Sequence, residues 1–263
     1  MLMPVDLFFR SFGGGGDGAP PLVILHGLLG SSRNWMTAGA ELGRDRHVVA
    51  LDLRNHGESP HTGEHTYPFM AEDVLAWMNA RGIGRAHLLG HSMGGKAAMR
   101  LAADHPERVG KLVVVDIAPR NNPPYNQRAF AAMNALPVSE IRSRKDAEKF
   151  LEERIPSWAF RQFLLTSLVR DRSGGFDWQV NLPVLTESLP HLARSPLEED
   201  EQFGGDALFV RGGRSDFVRD EDAVTIRKHF PASRIDTIED CGHNPHMEQR
   251  EAFNRRVQAF LES

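Results

Sequence analysis

Residues Leu88–Pro106 read LLGHSMGGKAAMRLAADHP, and one serine stands between glycines, after an apolar run and before an alanine-rich one. A surface linker has no need of the apolar flanks, and a buried helix has no use for Gly90, Gly94 and Gly95. A sharp strand-to-helix turn accounts for all of it. Gly90 and Gly94 flank Ser92 in a G-x-S-x-G pattern, in which small residues let strand and helix crowd together around a serine held in a strained conformation. The run AHLLG before it suits a buried strand, and Lys96 to Ala103 is rich in good helix formers. A glycine-rich turn with an incidental serine is the competing reading, and the rest of the chain decides between the two.

Several short apolar runs end in turn residues or in residues able to do chemistry: LVILHG at Gly27, HVVALD at Asp52, AHLLGHS at Ser92, KLVVVD at Asp116 and ALFVRGG at Gly213. Continuous rather than alternating runs fit strands buried on both faces of a parallel sheet. Helical patterns lie between them, over Tyr67–Ala80, Ala97–Ala103, Glu221–Phe230 and Ala252–Leu261. This alternation predicts an α/β fold built on a mostly parallel central sheet flanked by helices. The segment VDLFFRSF is expected to form an edge hairpin turning through GGGGDGAPP, a glycine run without the Lys-Ser/Thr signature of a phosphate loop. From about Pro119 to Glu201 the alternation breaks into amphipathic helical stretches such as AFAAMNAL, AEKFLEERI and WAFRQFLLTSL. We read residues 1–118 and 202–263 as the two parts of one core, and 119–201 as a helical cap over the carboxyl edge of the sheet, where open α/β sheets bind ligands.

Composition narrows the function. The 263 residues are 41% hydrophobic and 25% charged, ordinary for a globular chain, and the formal net charge of −4 makes no electrostatic case for nucleic acid or an anionic membrane surface. The basic cluster Arg142, Arg144, Lys145 sits beside Asp146 and Glu148 and reads as a solvated helix face. A single cysteine, Cys241, rules out an internal disulfide framework and fits a reducing, cytoplasmic location. No basic-then-apolar leader and no membrane-length apolar run is present.

An elbow serine needs a base, a group to orient that base, and N–H donors for the oxyanion. His243, in IEDCGHNPHME, follows a predicted strand and precedes the last helix, which puts it on a loop at the same sheet edge as Ser92. Cys241, His243 and His246 have no further Cys or His cluster to complete a metal site, so no metal is expected and Cys241 reads as a packing residue. The loop HGLLG follows the strand LVIL, so the backbone N–H of Leu28 and that of Met93, the residue after the nucleophile, can converge on one spot. His26 is expected to brace that loop, Asp52 to brace its own, and His91 to face away from the pocket.

Taken together, HGLLGSSRNW, ALDLRNHGES, LLGHSMGGKAAM, VVVDIAP, ALFVRGGRSDFV and CGHNPHME resemble the α/β-hydrolase superfamily, and most nearly its YbfF-like carboxylesterase branch. The resemblance runs over nearly the whole chain. It implies a cofactor-free esterase with a helical cap, monomeric or weakly oligomeric, acting on short- to medium-chain acyl esters as small-molecule substrates. Many members carry an aromatic residue after the catalytic histidine; this chain has Asn244. Most relatives also carry the triad acid in a G-x-x-D pattern after the penultimate strand. Laying Gly212 and Val218 on that pattern puts Ser215 at the acid position and Asp216 one residue late. In the YbfF-like branch the acid ends the strand after the nucleophile helix, which here is Asp116. A carboxylate buried there needs a partner such as the imidazole of His243, and Asp116 is favoured over Asp216.

The expected chemistry is ester hydrolysis through an acyl-enzyme, with Ser92, His243 and Asp116 as triad and Leu28 and Met93 as oxyanion donors. Haloalkane dehalogenases and epoxide hydrolases use a carboxylate nucleophile, so Ser92 argues against both. Carbon–carbon bond hydrolases and cofactor-free haloperoxidases or perhydrolases keep the serine and stay open. So does a slow-turnover ligand receptor on the same fold.

Overall fold

The computed structural model describes residues 3–14, 18–123, 126–171 and 174–263. In chain order the elements are β1 (Phe9–Phe12), β2 (Leu22–Leu25), α1 (Met36–Leu42), β3 (Val48–Leu51), α2 (Tyr67–Ala80), β4 (Ala86–His91), α3 (Met93–Asp104) and β5 (Val109–Val115). There follow α4 (Gln127–Ala135), α5 (Arg144–Glu152), α6 (Trp158–Leu165), β6 (Leu168–Arg170), β7 (Phe176–Trp178) and α7 (Leu182–Leu192). The chain ends with β8 (Ala207–Gly212), α8 (Asp222–His229), β9 (Ser233–Ile238), α9 (Pro245–Glu248) and α10 (Arg250–Glu262).

Seven strands form one sheet in the order β1-β3-β2-β4-β5-β8-β9, and every pairing except β1 with β3 is parallel. Buried strands with helices on both faces explain the continuous apolar runs. In β5, Leu112 and Val114 face one core cluster with α2 and α3, while Val113 and Val115 face the other with α1 and α10. Strand order reverses at β2, which has β3 on one side and β4 on the other. At such a switch point the loops leaving the two neighbouring strands diverge and open a crevice at their carboxyl ends.

The expected edge hairpin is not formed. β1 does lie at the edge, but it pairs antiparallel with β3, Phe9 opposite Leu51, and not with β2. The β2–α1–β3 crossover places β3 on the outer side of β2, so the open ladder that β1 can join belongs to β3. Residues 15–17 of the glycine run lie outside the described residues.

Between β5 and β8 the described residues form four helices and the two-stranded β6–β7 hairpin. These elements bury their own apolar cluster, including Phe130, Met133, Leu151, Leu164 and Leu185, and Leu29 from the loop after β2 is part of it. Polar ties run from this segment to the rest: Tyr67 Oη donates to the Leu192 carbonyl at 2.7 Å, and Asn181 N donates to the Asn55 carbonyl at 2.9 Å. Arg142, Arg144 and Lys145 are exposed, as expected of a solvated face, and the Arg144 guanidinium also donates to the carbonyls of Leu165 and Leu168, joining α5 to the end of α6.

Candidate active site

The elbow is built by close approach. Ser92 has φ 51° and ψ −115°, at the junction of β4 and α3, and its N–H donates to the Val115 carbonyl at 3.0 Å. A Cβ on Gly90 would lie 2.3 Å from the Gly94 carbonyl oxygen, and one on Gly94 would lie 2.4 Å from that of Leu25. The backbone atoms it would meet cannot swing aside. Gly94→Ala is therefore expected to destabilise the fold by about 1–3 kcal/mol or more, read as a lowered urea midpoint; an unchanged midpoint would contradict this crowding.

Sheet register brings the other residues to the same edge. Gly90 lies opposite Leu25, so the loop after β2 runs beside Ser92; His91 lies opposite Val115, so Asp116 is the next residue over. Val115 in turn lies opposite Val210 of β8, and β9 beyond it leads to His243. Asp116 is 1% exposed, with φ 50°, and its carboxylate is fully engaged. Oδ1 accepts from Gly212 N at 3.0 Å, and Oδ2 accepts from His243 Nδ1 at 2.8 Å and from the Ser215 hydroxyl. Because a carboxylate only accepts, Nδ1 carries the proton, which leaves Nε2 of His243 as the lone-pair nitrogen.

Asp216 is exposed and none of these contacts involves it. Ser215, the residue that stands where an acid was sought, instead donates to the carboxylate from the neighbouring strand. No hydrogen bond joins the Ser92 hydroxyl to the His243 ring. The two share the wall of one pocket, and such bonds are often long before substrate binds.

Leu28 and Met93 both line the space at Ser92. The loop carrying Leu28 is held by two imidazoles: His26 Nε2 accepts from Leu53 N at 3.0 Å, and His56 Nε2 accepts from Leu29 N at 3.1 Å. Asp52 braces its loop as expected, accepting from Ser32 N at 2.6 Å and Glu58 N at 2.8 Å. His56 carried no sequence signal beyond its place in LDLRNHGES. His91 departs from expectation: its Nε2 bonds the His243 carbonyl at 2.8 Å and its ring lies 4.7 Å from that of His243, so it backs the site rather than facing away. On the other side, Phe217 stacks on His243 at 3.9 Å. Asn244, in place of an aromatic residue, lines the pocket, and its N–H donates to Glu248 at 3.2 Å.

Cys241 and His246 are absorbed in packing. Cys241 is fully buried, and His246 stacks on Trp35 at 4.2 Å. Among the described residues no group of three or more His, Cys, Asp and Glu side chains is placed to hold a metal ion.

Burial keeps a set of histidines uncharged. It pulls His65 and His246 down to about 3, and neighbouring histidines add to burial in holding His56 and His91 well below the usual value. In the unfolded chain these rings take protons near 6.5, so below that pH the unfolded state binds more protons than the folded state. Stability is then complete above pH ~6.5, and each ring removes up to ~1.4 kcal/mol per pH unit below it. The melting temperature is expected to fall by at least about 5 °C between pH 7 and pH 5; a flat profile would mean that these rings are charged or solvated.

Residues 20–249 match the alpha/beta hydrolase fold family, and the chain belongs to it. It is 35% identical over 245 residues to Esterase YbfF of Escherichia coli (strain K12), covering 92% of each chain, which places it in the YbfF-like branch. It is also 38% identical over 267 residues to the sn-1-specific diacylglycerol lipase ABHD11 of Xenopus tropicalis, covering 98% of this chain and 83% of the relative. A solved structure titled Marine microorganism esterase superposes with a TM-score of 0.94 at 34% identity, covering 97% of this chain and 99% of that one. The chain is thus a hydrolase enzyme of the α/β-hydrolase class. No helix among the described residues is long and apolar enough to cross a membrane.

Proposed function

We propose that the protein is a carboxylesterase, cleaving short- to medium-chain acyl esters through a covalent acyl-serine. Ser92 Oγ attacks the ester carbonyl carbon while His243 Nε2 takes its proton, and the carbonyl oxygen gains its charge opposite the N–H groups of Leu28 and Met93. Collapse expels the alcohol, which receives the proton from His243. Water then repeats the sequence, releasing the acid and restoring Ser92. Asp116 fixes the tautomer and offsets the imidazolium charge. The observation that carries this reading is the buried Asp116 carboxylate holding His243 Nδ1 at 2.8 Å, beside a serine at a strained elbow. The names of the relatives, an esterase and a diacylglycerol lipase, support the same bond class.

In this reading residues 119–201 act as a cap that excludes water from the crevice. The protein works as a monomer or weak homo-oligomer in the cytoplasm, without metal or cofactor. Purified protein is expected to hydrolyse p-nitrophenyl acetate and butanoate with saturation kinetics, and a chelator leaves the rate unchanged. A folded protein inactive on every ester offered would favour the ligand-receptor alternative. Loss of activity to the chelator, restored by zinc, would overturn the metal-free mechanism.

A further inference from the structure

Two pockets meet at Ser92. The larger, about 530 Å³, has His243, Phe160 and Phe163 on its walls. The smaller, about 60 Å³, runs past Met93 to Tyr67, Lys96 and Asn122. His243 lines the first and not the second. If Ser92 and His243 cleave an ester as proposed above, the proton on His243 passes to the departing alkoxide, so the alcohol half lies on the His243 side. The acyl half then turns into the smaller pocket, which at ~15 Å³ per water-sized group has room for about four.

Within a mostly apolar lining, Lys96 and Asn122 keep hydrogen-bonding capacity to spare. Lys96 is 1% exposed, and its Nζ donates to the carbonyls of Arg120 at 2.9 Å and Arg194 at 2.6 Å. An ammonium has three N–H donors; the centre of the Tyr67 ring lies 5.7 Å from Nζ, and one donor has no oxygen partner. Both side-chain atoms of Asn122, Nδ2 and Oδ1, are buried with no hydrogen-bond partner, although its backbone N–H is anchored on the Ala193 carbonyl at 2.6 Å. An amide buried with neither end paired is rare in folded proteins and calls for a ligand or water. Burial, with the Arg120 charge nearby, pulls the Lys96 ammonium down to about 7, and a carboxylate bound beside it would favour the protonated form.

We infer that the smaller pocket is an acyl subsite for short acyl groups bearing a second oxygen function, hydroxyl or carboxylate, two or three carbons from the ester carbonyl, bound by Lys96 and Asn122. A purely aliphatic chain would bury its methyl end against these groups and leave them unpaired, a mismatch that hydrogen-bonding pockets punish strongly. The apolar alcohol half, by contrast, has the larger pocket.

The test uses benzyl esters with one common alcohol: acetate, butanoate, octanoate, 3-hydroxybutanoate and the monoester of succinate. Each kcat/KM is normalised to benzyl acetate with the same variant. At least one of the two oxygenated esters is expected to exceed butanoate by about tenfold or more, with the hydroxyl and carboxylate arms telling which oxygen is taken, and octanoate to fall below butanoate. In Asn122→Leu and Lys96→Met that preference is expected to collapse toward unity. Asn122→Leu leaves the ties of Lys96 intact, so the result does not hinge on whether the lysine variant folds. Butanoate turned over as well as both oxygenated esters, or a preference surviving in Asn122→Leu, would overturn the subsite while leaving the esterase reading standing. Failure to cleave even benzyl acetate would overturn that reading and the subsite with it.

Discussion

Ser92→Ala is expected to lower kcat for ester hydrolysis by about 10⁴ to 10⁶ while the protein remains folded, since a serine triad stripped of its nucleophile keeps only the contributions of binding and oxyanion stabilisation. The structural cost should be small. The methyl group of alanine occupies the place of the serine Cβ, and the N–H bond to the Val115 carbonyl does not involve the side chain. Both residues share the same left-handed backbone, φ 51°, so the strain of the elbow is unchanged. Thermal melts of the two proteins should therefore superpose within a few degrees. A variant that retains a substantial fraction of its activity would mean that another group attacks the ester.

The second large effect separates the two aspartates. Asp116→Asn preserves shape but presents an amide where Gly212 N, the Ser215 hydroxyl and His243 Nδ1 now donate to a carboxylate. The asparagine can place its oxygen toward only some of those donors. The imidazole loses the anion that selects its tautomer and offsets its charge. In serine proteases the corresponding change costs about 10⁴ in kcat, and a loss of that order is expected here. Asp216→Asn is expected to change kcat less than about tenfold, because the Asp216 side chain is exposed and takes no part in the contacts of His243. The measurement is kcat for both variants, each checked by thermal melt. A dead Asp216→Asn enzyme beside a nearly normal Asp116→Asn enzyme would contradict the assignment.

The sheet was legible because buried parallel strands write themselves as unbroken apolar runs, and each of the runs that end at Gly27, Asp52, Ser92, Asp116 and Gly213 contains a strand. The helix over Tyr67–Ala80 was legible to the residue, since its apolar positions recur at helical spacing and Pro68 sits in its first turn. Strand pairing was not. Nothing in VDLFFRSF distinguishes β3 from β2 as its neighbour; that choice belongs to the crossover, not to local sequence.

The β6–β7 hairpin, with three residues in each strand, is too short to show a period of two. At the site, spacing pointed to the residues at strand ends, because those positions are set by topology. It missed what supports them. Ser215 read as a lost acid rather than a donor to Asp116, and His91 and Phe217, which flank the His243 ring, sit where sequence separation hides their contact. His56 acts across a separation of 27 residues on Leu29 N, a link that only the folded β2 and β3 edge creates.

Ser92 is expected to be the residue that becomes acylated. This is tested most directly by treating the native protein with a fluorophosphonate ester and locating the adduct by peptide mass mapping. One adduct is expected, on the peptide containing Ser92, formed in step with loss of esterase activity and absent from Ser92→Ala. An adduct on any other residue that tracks the loss of activity, or full activity in protein stoichiometrically labelled at Ser92, would contradict it.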